Sequence, residues 1–400
     1  MKHELEVEML VGINLQDLQQ TTKPPFSADV IDFLSALSTS LLQTPIVRDY
    51  PDIVGFAYWC RKSSLLRLKS GFDNTFKRLG RGFALHITPS NVPVNFAFSL
   101  AIGMLAGNVN VVRVSSTYRP QVKLICDAIN NLLEVENHKY VGQMIKVISY
   151  QRDDLITEQL SSRADARMIW GGDETIRTIR SIVTQPRCVD VCFADRYSLC
   201  MLNAEAVNVA DFKTFKNLLT GFYNDSFLFD QNACSSPHLV LWEGEAKEVE
   251  SAQKRFWSGL VNLLTEKPSP AEIHSMEKFM QVCRVAIKLD NVQATLGHKN
   301  LVTRVQLRDI PLKIEDLRGR YGFFIEATDN SLQNFAKIVT NKYQTVTYFG
   351  VDPERIRECV INKGLPGVDR IVPVGDALNI DTVWDGYDLI STLSRIVVLK

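Results

Sequence analysis

Along the middle of the chain the spacing of apolar residues alternates between two periods. Short runs rich in β-branched residues, at 83–88, 110–114, 144–149, 166–170 and 189–193, read as buried strands. Between them, residues 94–106, 120–133, 153–160 and 173–183 carry their apolar positions at helical spacing. Strand and helix in alternation predict a parallel sheet with helices on both faces. Upstream, Val30, Ile31, Phe33, Leu34, Leu37, Leu41 and Leu42 predict a helix over 27–42 with Ser27 as its N-cap, and a second amphipathic helix is expected over 52–68. The stretch before Pro24 and Pro25 has no firm pattern. Near Asn203 a second α/β unit begins, with helices expected at 209–223, 245–264 and 270–286 and strands at 239–242 and 301–306. Residues 319–324 read as a loop entering a strand, 371–376 as a loop and 395–399 as a final strand.

Composition narrows the classes of function. The 400 residues carry 45 basic and 45 acidic side chains, so no net field draws in nucleic acid or an anionic membrane surface. The longest apolar run, 92–106, is broken by Asn95 and Ser99 and is shorter than the ~20 residues of a membrane span; it predicts a buried helix. Acidic residues near the start, where an export signal needs an apolar core, predict no export. Eight cysteines, at 60, 126, 188, 192, 200, 234, 283 and 359, include no CxxC pair, which argues against zinc and fits a reducing cytoplasm.

The candidate chemistry centres on residues 228–237 (LFDQNACSSP), where Cys234 lies in a polar segment between an expected helix and an expected strand. An exposed thiol near backbone N–H groups ionises below its usual pKa of about 8.5. The other reading is a loop cysteine without a role. In parallel sheets ligands bind beyond the C-terminal strand ends. After the first strand, Pro89 and Pro93 brace a turn that presents Asn91, which either serves chemistry or caps the next helix. After the second, Arg113 is followed by Ser115 and Ser116. After the fourth, Gly171 and Gly172 open a helix, either as a phosphate seat or as an ordinary turn capped by Asp173. No GxGxxG is present, against a standard dinucleotide fold.

Several stretches in order resemble the aldehyde dehydrogenase superfamily, and most closely its LuxC-type branch, the fatty acyl-CoA reductases of bacterial bioluminescence. They are 86–96 (HITPSNVPVNF), 106–116 (AGNVNVVRVSS), 230–237 (DQNACSSP), 347–350 (TYFG), and 369–375 (DRIVPVG) through 384–390 (WDGYDLI). The similarity runs from about residue 81 onward and hardly touches the first 80. It implies an α/β fold of two doubly wound parallel-sheet domains with an active-site cleft between them and a small oligomerisation element. The implied organisation is a helical segment at 1–80 packing on the cofactor domain, a nucleotide-binding domain at 81–203, a catalytic domain at 204–365, and a segment at 366–400 returning to the cofactor domain.

By the same resemblance Cys234 is the nucleophile, and the Asn91 side chain and the Cys234 N–H form the oxyanion hole. Thr88, Pro89, Arg113, Ser115, Ser116, Gly171 and Gly172 line the cofactor site. Phe193 stands where hydrolytic members carry a glutamate that activates water, which implies reduction of an acyl-enzyme rather than its hydrolysis. Arg113 and Ser116 match the lysine and glutamate that hold a ribose in NAD-preferring members. Losing a carboxylate and gaining a guanidinium favours a 2′-phosphate, hence NADPH; an Arg113 paired with a surface acid is the alternative. The implied activity is NADPH-dependent reduction of an acyl thioester, on CoA or a protein, to the aldehyde. Its alternatives are reduction of an acyl phosphate or other small activated acid, or an inactive scaffold of an acyl-transfer complex. Phe96, Phe98, Phe227 and Phe229 lean toward an apolar acyl chain, or are core. His238 is either the proton donor or an ordinary strand histidine. Implied partners are an acyltransferase, an AMP-forming acyl-protein synthetase and further copies of the chain, the last through 395–399.

Overall fold

The alternation of strand and helix takes shape as two separate sheets. A computed structural model describes residues 7–15, 21–73, 75–151, 153–268 and 270–400. Residues 1–6, on which the expected lack of an export signal partly rests, lie outside the described residues. The chain divides into two units, Met1–Ala194 with Ile380–Lys400, and Asp195–Asn379.

The first unit's main sheet has six strands: β1 (Glu8–Val11), β2 (Phe83–Ile87), β3 (Val109–Val114), β4 (Ile145–Ser149), β5 (Ala166–Trp170) and β6 (Val189–Phe193), in the order β1-β4-β3-β2-β5-β6. All neighbours are parallel except β1, which runs antiparallel along β4. Its longer helices are α1 (Ala28–Gln43), α2 (Pro51–Trp59), α3 (Lys62–Gly71), α4 (Asn95–Leu105), α5 (Pro120–Leu133), α6 (Asp154–Ser161) and α7 (Asp173–Arg180). Strand side chains alternate between faces, so the sheet builds two cores. Ala84, Val112 and Met168 join the cluster under α1 and α4, whereas Leu85, Val111 and Ile148 pack with Ile156 and Leu160 of α6. Each Val, Leu, Ile or Met side chain among them contributes roughly 1.5–3 kcal/mol on burial. Gly103 lets α4 lie close to the sheet, because a Cβ there would collide with the Asn110 side chain and the His86 ring.

Three expectations are corrected in this unit. The helix expected over 52–68 is two helices, because Arg61 leaves the helical region with ψ 142° and stacks its guanidinium on the Tyr58 ring, 3.7 Å away. The patternless start contains β1, a four-residue edge strand too short to show a period. The final strand is confined to Ser394–Ile396, paired antiparallel with Arg78–Gly80.

The second unit carries β7 (Tyr197–Asn203), α8 (Phe212–Phe227), β8 (Pro237–Glu243), α9 (Ala246–Thr265), α10 (Glu272–Lys288), β9 (Val292–His298), β10 (Val302–Leu307), β11 (Phe323–Thr328), β12 (Tyr343–Phe349), α11 (Pro353–Asn362) and β13 (Arg370–Pro373). The strand order is β9-β10-β11-β8-β7-β12-β13, parallel except for the antiparallel edge β9. Leu199, Leu239 and Phe323 face one core; Cys200, Val240 and Phe324 face the other. The division falls before the boundary expected at 203/204, because β7 is a central strand of this sheet. Residues 371–376, expected as a loop, begin as β13, and the return to the first unit starts at Ile380 rather than 366. Among the described residues no helix is long and apolar enough to cross a membrane.

Candidate active site

The segment that carries Cys234 is shaped by two consecutive left-handed residues. Asp230 and Gln231, at φ 51° and 58°, reverse the chain after α8, a conformation that Asp tolerates and β-branched residues resist. The turn is closed by backbone bonds from Gln231 N–H to Ser226 O (2.8 Å) and from Ser236 N–H to Ala233 O (3.0 Å).

Buried side chains then fix it to the sheet. Gln231, 2% exposed, donates from Nε2 to the carbonyls of Pro237 and Phe323 (both 3.1 Å) and accepts at Oε1 from the Gly322 N–H (2.7 Å) and the Phe323 N–H (3.1 Å). Ser198 Oγ, on β7, donates to the Cys234 carbonyl (2.8 Å) and accepts from the Thr345 N–H (3.1 Å). Ser236 Oγ donates to the Asp225 carbonyl (2.7 Å), and the Asp225 carboxyl accepts from the Gly375 and Ala377 N–H groups (2.7 and 3.0 Å). Burial pushes that carboxyl up to about 7, although both N–H groups favour its ionised form.

The sulfur itself meets an amide. Gln344, fully buried at the start of β12, directs Nε2 at Cys234 Sγ from 3.3 Å, while Thr345 Oγ1 donates to its Oε1 (3.4 Å) and fixes the orientation. An N–H aimed at sulfur favours thiolate over thiol. Cys234 is half-buried, in contrast to Cys60, Cys126 and Cys200, whose full burial pushes their thiols up, Cys126 to about 12. Gln344 escaped the sequence reading; the only signal near it was the neighbouring TYFG stretch.

His238 sits inside the core rather than at a strand edge. It is 2% exposed, stacks on Tyr197, and burial lowers its pKa to about 3, with Arg318 acting in the same direction. It is therefore neutral at pH 7 and carries no imidazolium to give a proton.

In the first unit the remaining candidates gather at the C-terminal ends of β2, β3 and β5. Thr88 is buried and ties β2 to β3, its N–H (3.2 Å) and Oγ1 (2.8 Å) both donating to the Arg113 carbonyl. Pro89 is half-buried behind it, and Asn91 is exposed. Asn91 makes no hydrogen bond among the described residues and does not cap α4, whose N-cap is Val94. Arg113 is half-buried, donates from Nη2 to the Tyr150 carbonyl (3.3 Å) and lies over the Tyr150 ring at 5.2 Å. It pairs with no acid among the described residues. Ser115 is half-buried and accepts from the Thr117 N–H (3.2 Å), and Ser116 is exposed.

Gly171 and Gly172 lie beyond β5. Gly172, not Asp173, is the N-cap of α7, and a Cβ on Gly172 would meet open space. Asp173 and Glu174 already fill the first turn with negative charge, which opposes an anion at that helix end. Phe193 ends β6 buried and stacked on Trp170, with centroids 3.6 Å apart, and its edge meets Tyr387. Phe96 is core, and Phe98 packs edge-on against Phe56 and Trp59. Phe227 and Phe229 are half-buried, the former stacked on Tyr223.

Residues 61–398 match the family model described as acyl-CoA reductase (LuxC). Curated relatives include the long-chain acyl-protein thioester reductase of Photorhabdus luminescens, 22% identical over 334 residues, 81% of this chain and 64% of that protein. Another is its namesake from Vibrio harveyi, 25% identical over 42% of this chain and 33% of that protein. The chain thus aligns with less than two thirds of the length of either. Solved structures with the same fold include lactaldehyde dehydrogenase from Escherichia coli (TM-score 0.61, 10% identity, covering 93% of this chain and 86% of that one). A second is an NAD-dependent benzaldehyde dehydrogenase from Corynebacterium glutamicum (TM-score 0.61, 13% identity, covering 92% and 84%). The fold is that of the aldehyde dehydrogenases, and the chain belongs to the LuxC family of acyl-CoA reductases.

Proposed function

We propose that this chain reduces an acyl thioester, carried on CoA or on a protein, to the aldehyde through an acyl-enzyme on Cys234. The observation that carries the reading is the preorganised sulfur, half-buried in a clamped polar turn with the Gln344 amide 3.3 Å away. A thiolate held there attacks the thioester carbonyl, the bond to the leaving thiol breaks, and the acyl group remains on Cys234. Asn91 is the side-chain donor to the oxygen on which charge develops, an interaction of a kind worth roughly 3–4 kcal/mol of barrier. Its amide has no other hydrogen-bond partner among the described residues to give up.

Hydride chemistry at the acyl-enzyme is what a nicotinamide dinucleotide would supply, and the first unit's strand ends fit one. Arg113 offers a guanidinium with no competing carboxylate among the described residues, Ser115 and Ser116 offer hydroxyls, and Thr88, Pro89, Gly171 and Gly172 border the same sheet edge. The guanidinium favours the 2′-phosphate of NADPH. Phe193, buried against Trp170, leaves an aromatic ring where a hydrolytic relative needs a carboxylate, so the acyl-enzyme waits for reduction rather than for water. Collapse of the resulting thiohemiacetal expels the Cys234 thiolate and frees the aldehyde. The relatives named for acyl-protein thioesters favour a protein-borne donor, with an acyltransferase and an AMP-forming synthetase as the enzymes that supply it.

The test is intact-mass measurement after incubation with a long-chain acyl-CoA and no nicotinamide. The wild-type chain gains one acyl group and Cys234→Ala gains none. A wild-type chain that stays unacylated, or a variant that still acylates, overturns the covalent route.

A further inference from the structure

Helix α10 (Glu272–Lys288) is inside out. The face against its own unit is polar: the His274 ring stacks on Tyr321 at 3.8 Å, Lys278 Nζ donates to the Tyr321 carbonyl (2.9 Å), and Gln281 Nε2 donates to the Leu317 carbonyl (2.6 Å). Only two apolar side chains back them, Val285 fully buried and Val282 half-buried against the core. The face away from the unit is apolar: Ile273 is 55% exposed, Met276 62%, Met280 52% and Ile287 85%, with Cys283 exposed between the last two. A surface helix in water places these residues the other way round.

The stripe has the spacing of a helix seam. Positions 273, 276, 280, 283 and 287 alternate steps of three and four, the repeat that keeps one face turned to a partner helix. Phe279, 69% exposed, widens it. The flanking charges say which partner. Glu272 and Glu277 lie in the N-terminal half, Arg284 and Lys288 in the C-terminal half, all exposed and in no ion pair among the described residues. In an antiparallel pairing of two such helices about Met280, Ile273 comes level with Ile287, and Glu277 falls beside Arg284, which lies on the same flank of the stripe. A parallel pairing instead sets Glu277 beside Glu272 of the other copy, acid against acid. A self-complementary patch of this kind is what a two-fold axis requires, and antiparallel packing also sets each helix N-terminus against the other's C-terminus.

We propose that α10 is a self-association helix, pairing antiparallel with α10 of a second copy of this chain about a two-fold axis at Met280. The interface is separate from the short ribbon made by Ser394–Ile396 and Arg78–Gly80, and it does not depend on the activity proposed above.

The test is sedimentation velocity of the full chain over the micromolar range, with thermal melting to confirm that each variant folds. Met276→Glu with Met280→Glu removes one association step without lowering the melting temperature. Arg284→Glu alone weakens that step by about tenfold or more, and adding Glu277→Arg restores it, since the exchange re-creates the pair across the axis. Met280→Cys in a Cys283→Ser background forms a reducible disulfide-linked dimer on mild oxidation, because only residues at the axis meet their own copies. Lys278 and Gln281 are left in place, since Tyr321 also donates its N–H to the Asp230 carbonyl beside the thiol turn. A wild-type chain that is monomeric throughout, an association unchanged by the double glutamate variant, or a Met280→Cys variant that does not cross-link would each overturn the proposal.

Discussion

The two sheets handle their candidate polar groups in opposite ways. At the first, Asn91, Ser116 and Gly172 stand exposed beyond the C-terminal strand ends, and the Asn91 amide has no partner among the described residues. At the second, the thiol turn precedes the N-terminal end of β8 and is held by side chains that water does not reach: Ser198, Asp225, Gln231 and Gln344 are each no more than 2% exposed. Under the proposed roles, the difference reflects when each group must be in place. A nucleophile has to be positioned before substrate arrives, since misplacement by an ångström costs rate, whereas groups that would hold a cofactor, such as Ser116 and Gly172, can be ordered by it on binding. Polar burial is costly unless a group is satisfied, and Ser198, Asp225 and Gln231 are satisfied by bonds to backbone around the turn.

Asp225 offers the largest lever on that clamp. Its carboxyl ionises near 4 in an unfolded chain and at about 7 in the folded one, so between those values the folded state holds a proton that the unfolded state has lost. The stabilisation is full below about pH 4, falls as pH rises toward about 7, and is gone above it; the total is at most roughly 4 kcal/mol. Asp225→Asn does not titrate. Urea unfolding at pH 5 and pH 8 should therefore show a smaller stability difference for the variant than for wild type. Equal differences would remove Asp225 from the account.

Gln344 is a smaller lever but lies closer to the chemistry. Hydrogen bonds to a charged group contribute about 1.5–3 kcal/mol, so Gln344→Leu is expected to slow iodoacetamide alkylation of Cys234 at neutral pH by about tenfold to a hundredfold and to move its midpoint to higher pH. Peptide mass spectrometry across a pH series reads both. If the midpoint does not move, the amide only packs against sulfur and the preorganised-thiolate reading fails.

Much of the first sheet was legible because β2 to β5 are buried on both faces and, with the half-buried edge strand β6, read as short apolar runs; the expected limits lie within a residue or so of those found. The edge strand β1 was not legible, since its four residues make too short a sample. In the second unit β7 interleaves Ser198, Cys200 and Asn203 with apolar residues, and β9 is largely exposed, so neither carries a strand signature. The helix at 272–288 was legible but its orientation was not: Lys278 and Gln281 are buried because two carbonyls across the fold accept from them, which no local pattern records. The same holds at the site. Cys234 and its motif stand out along the chain, whereas Gln344 reaches the sulfur from 110 residues away and looks like any strand glutamine. His238, close in sequence, was the misleading neighbour: its place in β8 buries it as a neutral ring.

The smallest effect tests the exposed side of the comparison. Arg113 reaches only a carbonyl and an aromatic face of Tyr150, so its charge is not neutralised by a carboxylate among the described residues. A 2′-phosphate presents two negative charges and several acceptor oxygens to such a fork, and an unphosphorylated ribose presents neither. Arg113→Leu keeps the aliphatic stem against Tyr150 and removes the charge. The KM for NADPH should rise about tenfold, near 1.4 kcal/mol for a half-exposed contact, while that for NADH changes little. Arg113→Lys should fall between, retaining charge without the fork. If both cofactors weaken together in Arg113→Leu, the guanidinium serves to hold Tyr150 and the strand end, and the preference for NADPH loses its support.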